Sequence, residues 1–247
     1  MATEKVDISM YNGEVTITYY PVSHQYKVNG DKVISVSAIS WVIEKPWMAM
    51  RVSNLARDYI LGIPENQRTD IEVIRGCNQH REKKAEATYT GTLVHDYVEA
   101  VSKGESPELP DDEWAKNGIL AFLKRKTDHN VKFIMQEKLV YSRQRNYVGR
   151  FDAIIEVDGR RYLADYKTSK SFYPMEMGMQ TAGYLQAYCE ETGENDIGRM
   201  ILRFDKETGE FDVHILDDYY DDVMAFNAAH TLRKRQKELD AKQKTDA

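Results

Sequence analysis

Apolar and polar positions first alternate with the period of a strand. Val15 to Tyr20 alternates, and Tyr26-Lys27-Val28 leads into Asn29-Gly30 before Lys32 to Val36 returns. Asn-Gly favours the tight turn whose twist matches a hairpin, so residues 6–36 predict a small β-ribbon. Ser37 to Ile43 predicts a short helix stopped by Pro46. From Trp47 to Leu61 the period becomes helical, with Ala49, Val52, Leu55, Ala56 and Tyr59 on one face. Trp41 and Trp47, flanking the proline, read as core anchors in preference to a base-stacking surface. Residues 64–87 are polar and charge-rich and predict a helix pair or an arch without chemistry of its own. Helices follow at 90–102 and 111–127, the second packing through Trp114, Ile119, Leu120 and Leu123. Phe133 to Tyr141 begins the core sheet, with Glu137 inside the strand. Met175 to Thr192 reads as a helix, Met200 to Phe204 and Phe211 to Leu216 as a hairpin, and Tyr219 to Lys242 as a last helix.

The centre of this pattern is GRFDAIIEVDGRRYLADYKTS, residues 149–169. Two apolar segments flank Asp158-Gly159, the other dipeptide that favours a two-residue turn. Pairing around that turn brings Asp152 and Asp165 to the same end of the hairpin. Asp165 and Lys167 are two apart and therefore share a face of their strand. Two carboxylates and an ammonium converge on one spot. Paired carboxylates attract a hard divalent cation, and the lysine orients an attacking water or offsets charge on a phosphate.

The acid-x-Lys pattern alone carries little information, for it recurs at Glu82-Lys83-Lys84 and Asp240-Ala241-Lys242. Those copies lie in charge-rich helical stretches and read as solvated faces. Only Asp165-Tyr166-Lys167 ends an apolar strand with a second acid across a hairpin.

Gly149-Arg150-Phe151-Asp152 followed by Asp165-Tyr166-Lys167 resembles the PD-(D/E)XK nuclease core, in its RecB-like exonuclease branch. Gly91-Thr92-Leu93-Val94-His95, with Glu99 beyond it, resembles that branch's Gly-x-x-x-His helix, and Gln180-Thr181-Ala182-Gly183-Tyr184 its Gln-x-x-x-Tyr helix. The motifs stand in the family's order over roughly residues 88–190, and the pattern is most similar to phage-encoded exonucleases and the mitochondrial genome maintenance exonuclease. The resemblance implies catalytic roles for Asp152, Asp165 and Lys167. It implies metal ligands in His95, Asp152, Asp165 and the Tyr166 carbonyl, with Glu137 either reaching the metal or playing a plain structural part. Gln180 and Tyr184 would hold the nucleic-acid backbone or the lysine, and Ser169 and Arg150 would contact nucleic acid. A lone helical histidine such as His95 is usually a satisfied or surface residue, and only the motif order reverses that reading.

Composition adjusts this picture. Lys and Arg total 34 against 40 Asp and Glu, a net charge of −6, so a nucleic-acid enzyme here needs a local basic groove and bound cations. Cys77 and Cys189 have no metal-binding spacing, which excludes a zinc knuckle and the four-cysteine iron–sulfur cluster of some relatives. No stretch resembles a signal peptide or a membrane span, so a cytoplasmic protein is expected, in the host cytoplasm if phage-encoded. Arg233-Lys234-Arg235 and Lys237 already have a helix-dipole reason to stand near a C-terminus.

The expected architecture is α/β: a restriction-endonuclease-like core with a central mixed sheet of four or five strands flanked by helices, an N-terminal β-ribbon and helical additions. One nuclease domain would span 1–247, with the ribbon and short helix in 1–45, a helical region carrying Gly-x-x-x-His in 46–130, the catalytic sheet in 131–216 and a C-terminal helix in 217–247. The expected activity is a DNA exonuclease using one or two Mg²⁺ or Mn²⁺ ions on linear single-stranded or duplex DNA, in phage recombination, replication or repair. A phage single-strand-annealing protein is an expected partner. The alternative is a nuclease-fold module that binds DNA ends or recombination partners with little or no cleavage.

Overall fold

The computed structural model describes residues 5–43, 46–169, 171–205 and 210–245. Strands β1 (Val6–Met10), β2 (Val15–Tyr20), β3 (Gln25–Val28) and β4 (Asp31–Lys32) pair antiparallel in chain order. Asn29 and Gly30 turn β3 into β4 with φ of 49° and 95°, the left-handed pair that such a turn requires. The chain then enters β5 (Ile34–Ser35) and α1 (Val36–Ser40), whose N-cap Ser35 hydroxyl accepts from the Ala38 amide.

Helices α2 (Pro46–Leu61), α3 (Asp70–Ser102) and α4 (Glu113–Asp128) precede β6 (Lys132–Ser142), β7 (Tyr147–Val157) and β8 (Arg160–Lys167). Then come α5 (Pro174–Thr192), β9 (Gly198–Phe204), β10 (Phe211–Ile215) and α6 (Tyr219–Thr245). The second sheet has six strands, not four or five: β5 joins it by pairing parallel to the start of β7. A two-residue strand at the end of a ribbon has no periodicity of its own to announce it. The sheet is mixed: β8 and β9, like β5 and β7, run parallel, while β6–β7, β7–β8 and β9–β10 run antiparallel.

Strand β7 organises the site. On one edge β6 follows it along nearly its whole length. The other edge is shared, by β5 at Tyr147 and Val148 and by β8 from Ala153 to Val157. Asp152 lies just past the last β7–β8 pair, Ala153 with Ala164. Phe151 and Ala153, two apart, pack into opposite cores, so the strand's alternation breaks at Asp152. Directly across, between the pairs Gln136–Ala153 and Lys138–Phe151, Glu137 has φ of 47°. A non-glycine residue in that region inside a strand is strained, and such strain gathers at functional sites.

One face of the sheet packs on α1, α5 and α6 through Val36, Phe151, Leu163, Met179, Tyr188 and Phe226. The other packs on α3 and α4 through Val94, Val98, Ile119, Phe122, Ala164 and Leu202. The ribbon attaches through a third cluster joining Met10, Val15, Ile17 and Val28 to Leu139, Tyr141 and Val148.

Two further sequence expectations are corrected. The helix predicted over 90–102 begins at Asp70, capped by Thr69 and with Asp70 and Glu72 in its first turn. Its polar first half is helical because it packs on α2 at Gly76, where an added Cβ would lie 3.2 Å from the Ala56 carbonyl and 3.3 Å from Tyr59 and Ile60. Trp41 is not a core anchor: it is 64% exposed, with the Lys84 ammonium 4.8 Å from its ring centroid. The Trp47 side chain and the turn at 206–209 lie outside the described residues. Among the described residues no helix is long and apolar enough to cross a membrane.

Candidate active site

Both turn residues of the β7–β8 hairpin adopt left-handed backbone, Asp158 at φ 51° and Gly159 at 79°, as Asp-Gly predicts. The hairpin delivers its acids where the strands part. Asp152 Oδ2 accepts a 2.5 Å hydrogen bond from the Tyr166 amide, which ties β7 to β8 beyond their last regular pair. Asp165, 2% exposed, forms an ion pair with Lys167 on its own strand.

Helix α3 brings the third element. His95 Nδ1 lies 3.7 Å from Asp152 Oδ1, and its ring rests 5.4 Å from that of Tyr166. Gly91, one turn earlier, permits this approach: a Cβ there would meet the Thr168 hydroxyl at 3.3 Å. Glu99, a further turn along, pairs with Lys103 at 2.7 Å, and its charge adds to the acids that push Glu137 up. Strand β6 adds Glu137. One donor atom each from His95, Glu137 and Asp152 lie within 4.8 Å of one another, a group suited to a metal ion. Asp165 stands beside this group, on the lysine side.

Helix α5 supplies the support. Lys167 Nζ donates to Gln180 Oε1 at 3.1 Å, and Gln180 Nε2 donates to the Tyr184 hydroxyl at 2.9 Å. Gln180 and Tyr184 share a face at i and i+4, so one helix fixes the lysine's direction. Tyr184 packs against Gly149, where a Cβ would lie 2.5 Å from its ring, which explains the glycine three residues before Asp152.

The electrostatics follow from crowding acids in partly buried surroundings. Burial, then the negative charge of Asp165, pushes the Asp152 carboxyl far above the ordinary carboxylate range. Burial, then Asp152, pushes Glu137 up to about 7. Burial lowers His95 and favours the neutral imidazole, the form that ligates metal. Burial also works against the Lys167 charge, but Asp165 and Asp152 outweigh it and hold the ammonium protonated.

Of the other expected contacts, Arg150 sits 3.9 Å from Glu137 at the cluster's edge. Ser169 Oγ donates to the Ser171 carbonyl at 2.8 Å, and the Ser169 carbonyl accepts from Arg203 at 3.2 Å. Arg203 is a residue the sequence reading missed. It is 8% exposed and pairs with Asp205 at 2.9 Å and with Asp212, thereby anchoring the loop after Lys167. Its only sequence signal is a charge within the apolar run Met200 to Phe204. The Glu82–Lys84 and Asp240–Lys242 copies lie on α3 and α6, as expected of solvated helix faces.

Comparison with known proteins places this geometry. No curated protein matches the chain. Among the solved structures that match is that of a "putative exonuclease" from Eubacterium rectale, 14% identical with a TM-score of 0.43. The match covers 59% of this chain and 65% of that one, too partial a likeness to carry a reading of activity. The family model of the PD-(D/E)XK nuclease superfamily matches residues 57–246, most of the chain and all the elements that build the site. The chain belongs to the PD-(D/E)XK nuclease superfamily.

Proposed function

We propose that this nuclease is a divalent-metal-dependent DNA exonuclease of the RecB-like branch. The observation that carries the reading is the convergence of His95, Glu137 and Asp152 donor atoms beside an ion-paired, protonated Lys167. The donor set fits a hard cation: two carboxylates raised by burial and by neighbouring acids, and a neutral imidazole. His95, Glu137 and Asp152 would hold Mg²⁺ or Mn²⁺, with Asp165 and the Tyr166 carbonyl completing the set. When bound, the ion supplies charge neutralisation at the phosphate and lowers the pKa of water nearby.

The remaining chemistry belongs to the chain. Lys167, kept as an ammonium, donates to the phosphate oxygens or to the attacking water, and does not take a proton from it. Gln180 and Tyr184 hold its direction, so little reorganisation is needed when charge develops. Asp152, by accepting from the Tyr166 amide, sets the spacing of the two acids. Arg150, at the edge of the acid cluster, would contact a neighbouring phosphate. Phosphate has no base-specific handle, so weak sequence preference is expected. The resemblance to phage exonucleases supports a wider proposal: one nuclease domain over 1–247, acting in DNA recombination, replication or repair in the host cytoplasm, with a single-strand-annealing protein as partner.

The test is a time course on end-labelled single-stranded, duplex and circular DNA with Mg²⁺, Mn²⁺ or EDTA, for wild type and Lys167→Ala. Metal-dependent shortening of linear but not circular DNA, lost in the variant, is the expected result. Cutting of circles would make the enzyme an endonuclease. Binding without cleavage under either metal would sink the proposal and leave a DNA-end-binding module, which the net charge of −6 already favours over a wrapping protein.

A further inference from the structure

We propose that Tyr19, on the N-terminal ribbon, is a positioning residue that presents Arg150 to a substrate phosphate beside the acid cluster. This inference rests on the nuclease reading above but concerns a part of the chain outside the family match, which begins at residue 57.

The ribbon is more than an appendage packed on the far end of β6. Tyr19 on β2 and Tyr26 on β3 are direct cross-strand partners, and their rings stack at 4.8 Å with an interplanar angle of 24°. The Tyr19 hydroxyl is held by His24 Nδ1 at 3.1 Å. The Arg150 guanidinium lies 4.8 Å from the Tyr19 ring centroid. Two residues after Arg150 comes Asp152, and 3.9 Å from the guanidinium is a Glu137 carboxylate oxygen. The ribbon therefore touches the site through a cation–π contact.

That contact leaves the arginine's hydrogen-bonding capacity unspent. The separation from Glu137 exceeds a hydrogen bond, and Arg150 Nε is buried without a partner among the described residues. A guanidinium with free donors, held over a tyrosine ring at the rim of an acidic cluster, fits a phosphate bidentately. The ring contact orders the long side chain before substrate arrives, so less rotamer freedom is lost on binding. Glu137 restrains Arg150 only weakly, and a phosphate, which offers full hydrogen bonds, displaces that pairing.

The assignment is tested by the salt dependence of binding, because Tyr19 carries no charge. Fluorescence anisotropy of a labelled single-stranded oligonucleotide, with Ca²⁺ in place of Mg²⁺ to block cleavage, gives log Kd against log salt. Arg150→Ala should lower the slope by about 0.7, one phosphate contact on a single strand. Tyr19→Leu, which keeps the apolar bulk of the ribbon but removes the ring, should lower it equally. The double variant should go no further, and Tyr19→Phe should behave as wild type. With Mg²⁺, Tyr19→Leu should raise KM about tenfold with kcat within about twofold. Equal melting temperatures of Tyr19→Leu and Tyr19→Phe separate this from ribbon unfolding. A wild-type slope in Tyr19→Leu, or additive losses in the double variant, would overturn the assignment while leaving the nuclease reading intact. Wild-type protein that binds no DNA would overturn both.

Discussion

Replacing Glu137 by Gln removes one charge from the acid cluster at nearly constant volume, and its effect on stability follows from the site. The Glu137 carboxyl stands at about 7 instead of its ordinary 4.5, first because it is buried and then because Asp152 faces it. A raised acid binds its proton more tightly in the folded chain than in the unfolded one. Folding is thus unpenalised below pH 4.5 and loses stability as pH rises through 7. At about 1.4 kcal/mol per pH unit the full penalty would be about 3 kcal/mol. Glu137 is 32% exposed, so solvent reduces this to about 2 kcal/mol. For a domain of this size that is about 4–8 °C in Tm. The assay is thermal unfolding in EDTA from pH 5 to pH 8. Wild type should lose stability relative to Glu137→Gln across that window, the two should converge near pH 5, and Mg²⁺ should restore wild type far more than the variant. A variant no more stable than wild type at pH 8 would refute the crowded-acid account, and with it the best electrostatic argument for a cation there.

Further outcomes follow from single contacts. Gly149→Ala should cost about 2–4 kcal/mol in chemical denaturation, because its Cβ would lie 2.5 Å from Tyr184 and 2.8 Å from Val36 in a packed core. Asp222→Ala should cost about 3 kcal/mol, since Arg199, 1% exposed and paired with it at 2.7 Å, would be left as a buried lone charge; a double Asp222→Ala/Arg199→Met variant should recover part of the loss. Gln180→Leu should lower kcat about tenfold or more while DNA affinity changes little, because the residue touches Lys167; an unchanged kcat would show that the lysine needs no such support. His95→Ala should weaken Mn²⁺ binding, read by isothermal titration calorimetry, about tenfold or more, whereas Glu99→Ala should not.

Sequence by itself determined the hairpins and the identity of the acids. Asn29-Gly30 and Asp158-Gly159 adopt positive φ because only such residues enter that conformation cheaply, and a two-residue turn fixes register, so Asp152 and Asp165 had to meet. Period-2 and period-3.6 patterns likewise placed β8, α4 and α5 within a residue or two. Other features depend on partners distant in the chain. The polar half of α3 is helical because α2 covers it, and β5 is a strand because β7 has a free edge where it arrives. Trp41 is exposed although its composition suggests burial. The position of Glu137 was not legible in the local pattern either: its place against Asp152 comes from a left-handed residue inside a strand, which neighbouring sequence does not encode. Arg203, and the reach of Tyr19 to Arg150, join residues far apart in sequence. Local conformational preference writes turns and periodicities into short stretches of chain, whereas the pKa of an acid or the support of a lysine is set by whatever the fold packs beside it.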